Sequence, residues 1–204
     1  MEYQVKTIAS REEIESADRF EISHFMWNCL RKPRAWGWMG YLPGQGLYVK
    51  LVCEESDPRR IFHNYMDMVC KDSAMEVFLA FPEKGEPLTN DVMYLNFEAN
   101  GNGALYAAYG KGRKGRRPMP EKYLEQCGCR AQLLDDRWIL TWLIPEEYVN
   151  QEAGAALGRG AEFYCNFYKI AESPDIEHYA AFAPIENEKP NFHLPVFFAK
   201  AKIV

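Results

Sequence analysis

The chain has 204 residues, a length that fits one domain and that all-β domains often reach without splitting. Apolar residues make up 48% and charged residues 26%, and a chain of this size buries roughly 70% of its surface on folding, so no disulfide is required. The net charge of −5 argues against a general nucleic-acid-binding protein, which would more often be basic.

The sequence shows no pattern typical of a membrane-spanning helix or of an export signal. No apolar run approaches the ~20 residues that span a bilayer, and residues 1–18 contain no apolar signal core. We therefore expect six free cysteines in a reducing compartment and a cytoplasmic location for the chain as given. A secreted protein whose signal had been trimmed would show the same pattern, and its location would be extracellular.

The N-terminal quarter predicts a strand, a short helix and a hairpin. Residues 3–8 alternate as a strand does, and Ser10 with Glu13 matches a capping box that starts a short helix. Residues 36–41 and 47–54 then predict a hairpin, because the connection between them contains Pro-Gly-Gln-Gly.

The middle of the chain predicts three neighbouring strands at residues 72–81, 92–99 and 104–109, with a tight Asn-Gly-Asn-Gly turn before the third. In the second strand, polar and apolar residues alternate, so Asn96 and Glu98 share one face and the apolar residues share the other. Such a strand fills a core with one face and leaves the other face wet.

The C-terminal part predicts further short strands and little helix. Pro145 with the acidic residues after it is typical of a short helix. The predicted strands lie at residues 127–134, 137–144, 161–170, 178–183 and 196–204. About ten short strands with frequent turn signals predict an all-β fold. We expect a jelly-roll-like sandwich of two antiparallel sheets with one or two short helices, as a single domain over residues 1–204.

Two local motifs suggest chemistry that their surroundings do not support. Residues 110–115 match the dinucleotide pattern G-x-G-x-x-G, but Pro118 and Pro120 prevent the helix that the pattern needs. This loop holds five basic residues, and we interpret it as solvated, with contact to an anionic group as the alternative. Cys127 and Cys129 lack a second ligand pair nearby, so zinc is not indicated and any metal site stays unknown.

Glu76 and Glu98 fall on neighbouring predicted strands and would share the wet face. Two carboxylates in a cleft could cleave a glycosidic bond. Carboxylates on a sheet also accept strong hydrogen bonds from sugar hydroxyls, which favours a binding surface over a catalytic pair.

Several segments together resemble the family-nine carbohydrate-binding modules and their DOMON-like relatives. The segments are CKDSAMEVFLAF, YLNFEANGNG, EFYCNFYKIAE, HYAAFAP and NFHLPVFFAKAKI, in the family's order from about Gly46 to Val204. The resemblance implies a β-sandwich that binds saccharides without catalysis, usually as part of a polysaccharide-degrading enzyme. It also implies that structural calcium is possible; no other cofactor is expected.

The resemblance further implies which positions contact a sugar. In the family, two tryptophans sandwich the sugar ring, and here Cys70 and Phe192 stand at those positions. Glu76 matches the family's acidic residue and Tyr168 matches a polar position in a later strand.

These observations predict a non-catalytic carbohydrate-binding domain, linked to polysaccharide or glycoside breakdown. The partner would be a saccharide, with no nucleic acid and no membrane, and the oligomeric state stays open. One alternative is an accessory domain with a degenerate sugar site, and another is a glycoside hydrolase using Glu76 and Glu98. No catalytic residue is assigned, and the candidate ligand-binding residues are Glu76, Asn96, Glu98, Asn166, Tyr168, Lys169, His178, Phe192 and His193.

Overall fold

The computed structural model describes residues 1–83 and 85–204 and shows a β-sandwich built from short strands. The strands are β1 Glu2–Thr7, β2 Arg19–Ile22, β3 His24–Phe25, β4 Arg34–Leu42, β5 Gly46–Glu54, β6 Ala74–Ala80, β7 Met93–Asn100, β8 Leu105–Lys111, β9 Arg117–Pro118, β10 Arg130–Leu133, β11 Trp138–Pro145, β12 Glu162–Ala171, β13 His178–Ala181 and β14 Ala199–Ile203. The helices are α1 Glu121–Cys127 and α2 Glu146–Ala153, with 3-10 turns at Arg11–Ser16, Val69–Lys71 and Pro195–Phe197.

The strands form two layers that we call the front sheet and the back sheet. The front sheet has the order β14–β12–β6–β7–β8–β9. Strand β12 is long enough to pair with two strands on one edge, with β14 along its first half and with β13 along its second half. Strand β3 pairs with the outer edge of β13. The back sheet has the order β10–β11–β5–β4, with β2 on the outer edge of β4. The predicted hairpin, the three central strands and the all-β sandwich are confirmed.

Strand β1 joins the two sheets in a way that the sequence did not predict. Glu2 to Val5 pair with β14 of the front sheet, and Lys6 and Thr7 pair with β4 of the back sheet. Both pairings are parallel, whereas every other pairing among the described strands is antiparallel. One strand therefore closes the edge between the layers, which leaves fewer unpaired backbone groups.

The main core lies between the sheets and uses every second residue of each strand. Leu95 and Phe97 of β7 point into it, opposite Trp142 of β11, and all three are fully buried. Phe20 and Phe167 stack with their ring centres 3.6 Å apart. The alternation in β7 is therefore confirmed, because Asn96 and Glu98 lie on the other face of the front sheet.

That other face of the front sheet is not the open, wet surface that the sequence predicted. A second apolar cluster covers much of it, in which Phe78 and Tyr94 of the sheet pack under Ile185, Phe192 and Phe198 of the C-terminal segment. A segment of low strand content has folded back across the sheet because its apolar side chains need burial. The solvent reaches only the part that this segment leaves uncovered.

Helix α1 replaces the start of the strand that we predicted at residues 127–134, and Cys127 is its last residue. Pro120 precedes the helix and Gly128 ends it in the left-handed conformation, at φ 51°. The predicted capping box also differs, since Glu13 accepts a bond from the Ala9 N–H. No helix in the described part of the chain is long and apolar enough to cross a membrane.

Candidate functional site

A row of four side chains crosses the outer face of the front sheet. Tyr168 of β12 pairs with Glu76 of β6, Glu76 pairs with Glu98 of β7, and Glu98 pairs with Tyr106 of β8. Antiparallel pairing places directly opposed residues on the same face. The strand register alone therefore brings two carboxyl groups and two aromatic rings into one line.

A cavity of about 410 Å³ opens above this row. This volume is within the range of roughly 300–1,000 Å³ that small-molecule sites occupy. Its walls come from three segments outside the strands, around Cys70, at residues 113–116 and at residues 190–193. The lining residues that the following paragraphs use are Cys70, Glu76, Glu98, Tyr106, Arg113, Arg116, Glu172, Tyr179, Phe192 and His193.

Glu76 and Glu98 form the acidic floor of the cavity. Glu76 is 2% exposed and forms no hydrogen bond or ion pair with another residue of the described chain, whereas Glu98 accepts a 2.9 Å bond from the Asn96 amide. Burial and the neighbouring Glu98 raise the pKa of Glu76 well above its ordinary value. Burial also raises the pKa of Glu98, to about 7, although the Asn96 amide opposes the shift. The raised pKa values therefore favour protonated carboxyl groups near neutral pH, and Glu76 keeps its hydrogen-bonding capacity free.

A third carboxyl group lies at the edge of the same cavity. Glu172 accepts a 3.5 Å bond from the Cys70 thiol. Burial, followed by the charges of Glu172 and Glu98, raises the pKa of that thiol, so Cys70 stays protonated and is a poor nucleophile. Cys70 thus lies at the cavity, as the family resemblance implied, but it presents a thiol where an aromatic ring was expected.

Arg116 holds the basic loop against the sheet. Its guanidinium donates to the Asn96 side chain and to the backbone carbonyls of Tyr94, Ala108, Gly110 and Gly112, at 2.9 to 3.3 Å. These five bonds use all five N–H donors of an arginine. Our prediction of a solvated loop is therefore wrong at Arg116, because the buried carbonyls at the strand ends needed a donor.

His193 contributes an uncharged ring to the cavity. Tyr94 donates its hydroxyl proton to the Gly112 carbonyl at 2.7 Å, so the 2.8 Å contact with His193 requires that Nδ1–H of the histidine donates. Burial, with Arg116 and Arg113 nearby, lowers the pKa of His193 to about 3. His193 therefore supplies no positive charge at neutral pH.

The aromatic walls differ from the two-ring sandwich that the family resemblance implied. Phe192 stacks on Tyr168 with ring centres 4.0 Å apart and is only 5% exposed, so its neighbour covers one face. Trp27 packs behind it, at 5.8 Å. Tyr106 is half-buried, lines the cavity and forms no hydrogen bond in the described structure, so its ring is the more accessible one.

The structure does not bring all nine predicted residues to the cavity. Glu76, Glu98, Phe192 and His193 line it, and Asn96 and Tyr168 lie directly beneath, each bonded to a lining residue. Three predicted positions lie elsewhere, namely Asn166, Lys169 and His178. Asn166 bonds the backbone of Phe167 and Ala183 and fixes the start of the covering segment.

Lys169 and His178 belong to a buried network on the opposite face of the front sheet. The Lys169 amine donates to the Ser73 hydroxyl at 2.6 Å and lies 3.8 Å from a Glu55 oxygen. His178 donates Nδ1–H to the Ile176 carbonyl, so its Nε2 accepts from Lys169 at 2.7 Å. Burial and Lys169 lower the pKa of His178 to about 4. These groups satisfy one another and face the inter-sheet core, away from the cavity.

Metal ligands do not converge in the described part of the chain, where no three His, Cys, Asp or Glu side chains are arranged to hold an ion. Cys127 ends helix α1 and contacts the Met119 sulfur, while Cys129 lies outside that helix. All six cysteines are unbridged. Structural calcium stays a prediction.

The comparisons with known proteins agree with this geometry. Carbohydrate-binding family 9 matches residues 43–203, most of the chain. The chain belongs to carbohydrate-binding family 9. It is therefore a non-catalytic carbohydrate-binding domain, and the hydrolase alternative has no support. No curated protein matches the sequence significantly.

Solved structures show how far the family 9 fold is shared. A candidate carbohydrate-binding protein from Bacteroides uniformis has a TM-score of 0.83 at 22% identity, over 100% of this chain and 99% of its own. A family 9 module from Caldicellulosiruptor kristjanssonii in complex with cellotriose gives 0.66 at 12% identity, covering 100% and 93%. The structure with glucose from the same organism gives 0.64 at 11%, covering 100% and 96%. These likenesses confirm the fold.

Sequence reasoning missed several residues that line the cavity, among them Tyr106, Arg113, Arg116, Glu172 and Tyr179. A signal existed for Tyr106, because a four-residue turn fixes the hairpin register that puts it opposite Glu98. No comparable signal existed for the two arginines, since the path of a glycine-rich loop does not follow from local sequence.

Proposed function

We propose that the cavity above Glu76 and Glu98 binds a monosaccharide or an oligosaccharide. We further propose that this family 9 domain serves the breakdown of polysaccharides or glycosides by binding their sugars. The observation that carries the proposal is the floor of two carboxyl groups beside the half-buried ring of Tyr106. Sugars present hydroxyl donors around their rim and apolar C–H faces above and below the ring, so such a cavity complements them.

The named neighbours support the same class of ligand, because two family 9 structures from Caldicellulosiruptor kristjanssonii were solved in complex with cellotriose and with glucose. An accessory domain with a degenerate site is the runner-up, and it would present an aromatic patch without a concave cavity. The cavity volume of about 410 Å³ favours binding over that alternative. The compartment in which the domain acts stays a prediction.

Isothermal titration calorimetry with glucose, cellobiose, cellotriose, xylose and galactose tests the proposal. We expect saturable binding of at least one sugar, and a loss of about tenfold or more in Glu76→Ala and in Phe192→Ala. Glu125→Ala, an exposed change on helix α1, is the matched control and should bind as the parent does. Absence of binding to every sugar, or unchanged binding in both cavity variants, would overturn the proposal.

A further inference from the structure

The positive charges around the cavity do not pair directly with its carboxyl groups in the described structure. Glu76, Glu98 and Glu172 all line the cavity, and Glu76 is only 2% exposed. No basic side chain of the described chain pairs with any of these three carboxyl groups within ion-pair distance. Like charges directly opposed across two strands destabilise each other, so ionising both Glu76 and Glu98 is unfavourable.

Arg116 and Arg113 both favour the ionised form of Glu98, but neither forms an ion pair with a carboxyl group of the cavity in the described part of the chain. Arg116 has committed all five of its donors to Asn96 and to backbone carbonyls. Its guanidinium therefore has no N–H left for a ligand. Arg113 is exposed at the rim and forms no hydrogen bond or ion pair in the described structure. His193 is neutral at physiological pH, as the low pKa shows.

Because Glu76 has no partner, it suits a ligand group that donates hydrogen bonds. Glu76 lines the cavity and has no hydrogen-bond partner in the described chain, so a donor group of a ligand would satisfy its carboxyl oxygens. A hydroxyl would satisfy one acceptor. An ammonium group would satisfy up to three acceptors and would also offset the mutual repulsion of Glu76 and Glu98.

We propose that the preferred ligand of this cavity is a saccharide with a free amino group, such as a 2-amino-2-deoxyhexose unit, whose ammonium lies against Glu76 and Glu98. The inference rests on the proposed saccharide-binding function and names its ligand class. A bare metal ion fits less well, because no three acidic, His or Cys side chains in the described ranges are arranged to enclose one. An amino group on a sugar ring needs only the two opposed carboxyl groups.

Proton release provides a signature of this contact. The raised pKa values of Glu76 and Glu98 favour the protonated carboxyl groups near neutral pH. An ammonium beside the carboxyl groups favours their ionised form, so binding of an amino sugar should release protons. A neutral sugar lacks that effect.

Calorimetry at about pH 7 with glucosamine, glucose, N-acetylglucosamine and glucuronate tests the inference. We expect glucosamine to bind at least about tenfold more tightly than glucose or N-acetylglucosamine, the gain of one charge-assisted hydrogen bond, and glucuronate to bind most weakly. The binding enthalpy of glucosamine should depend on the ionisation enthalpy of the buffer. In Glu76→Gln/Glu98→Gln, the ratio of glucosamine to glucose affinity should fall to near unity.

The outcomes separate this inference from the proposed function. Binding of glucose with equal or weaker binding of glucosamine would overturn the amino-sugar inference and leave saccharide binding intact. A glucosamine preference that survives in the double variant would also overturn it, because the ammonium would then be recognised elsewhere. Absence of binding to all four sugars would overturn the amino-sugar inference, and absence of binding to cellobiose, cellotriose, xylose and galactose as well would overturn both.

Discussion

Glu76 and Glu98 oppose each other across β6 and β7 with both side chains buried, and no basic side chain in the described structure pairs with either. Directly opposed residues in an antiparallel pair have Cβ atoms about 5 Å apart, close enough for strong coupling. The pair therefore costs stability whenever both carboxyl groups ionise. Sites that sacrifice stability in this way commonly serve binding.

The first prediction concerns the pH dependence of that cost. Burial raises the pKa of Glu98 to about 7, while an unfolded glutamate ionises near about 4.3. Below about pH 4 the two carboxyl groups are protonated in the folded and in the unfolded state, so their ionisation does not change the free energy of unfolding. As the pH rises toward 7 only the unfolded state gains charge, so stability is lost across this window and stays low above it.

Glu76→Gln/Glu98→Gln should therefore raise the free energy of unfolding at about pH 8, by an amount on the order of 3 kcal/mol, and should raise it much less at about pH 4. Urea denaturation followed by tryptophan fluorescence at the two pH values measures this. Glu125→Gln is the control, because its exposed carboxyl should leave the parent curve unchanged. An equal gain at both pH values would contradict the argument.

The second prediction concerns the buried network of Lys169. Lys169→Met leaves Glu55 in the core with Ser73, Trp138 and the weakly donating thiol of Cys53 as its remaining donors. Burial opposes ionisation of Glu55, but Lys169 and the Ser73 hydroxyl lower its pKa overall. Removing the lysine therefore leaves a buried carboxylate without its ion-pair partner. We expect a loss of roughly 3–5 kcal/mol in the free energy of unfolding.

A double-mutant cycle separates the cost of the unpaired Glu55 carboxylate from the cost of the packing lost with the lysine side chain. Lys169→Met/Glu55→Gln should recover part of the stability, because it removes both partners. Lys50→Met breaks a partly exposed pair with Glu15 and should cost at most about 1 kcal/mol, which makes it the matched control. Equal costs for the two lysine variants would show that burial is not the cause.

The third prediction assigns the sugar-stacking ring to Tyr106. Its ring is half-buried and lines the cavity, whereas Tyr168 covers one face of Phe192. Tyr106→Ala should weaken saccharide binding by roughly tenfold, and Tyr106→Phe should retain most of it, because the aromatic face and not the hydroxyl makes the contact. Calorimetry with the best sugar ligand measures both, and Tyr48→Ala on the back sheet is the control. Parent-like binding by Tyr106→Ala would exclude this role.

Strand alternation explains both what the sequence predicted about the site and one of its errors. In β7 the alternation placed Asn96 and Glu98 on one face, as the structure shows. In β12 the same rule separates Tyr168 from its neighbour Lys169, since successive side chains point to opposite faces. Our grouping of both residues at the ligand face ignored this rule, and only Tyr168 lies under the cavity.

The remaining features of the site depend on segments that carry no periodic signal. Residues 113–116 and 190–193 form two walls, and both ranges lie outside the strands and helices. Their positions result from packing, in particular from Phe192 on Tyr168 and from Arg116 on the strand carbonyls. Local sequence sets neither contact, so the predicted wet face became a partly covered cavity.

The last prediction follows from the way Arg116 holds its loop. Arg116→Gln removes a guanidinium whose five donors satisfy the Asn96 side chain and four backbone carbonyls. Buried carbonyls without a donor cost about 1–3 kcal/mol each, so we expect the free energy of unfolding to fall by at least that amount. Saccharide binding should weaken as well, because the same loop carries Arg113 into the cavity wall. Lys114→Gln changes an exposed residue of the same loop and should alter neither quantity. If the two variants behave alike in denaturation and in calorimetry, the loop is held by its backbone and not by the guanidinium.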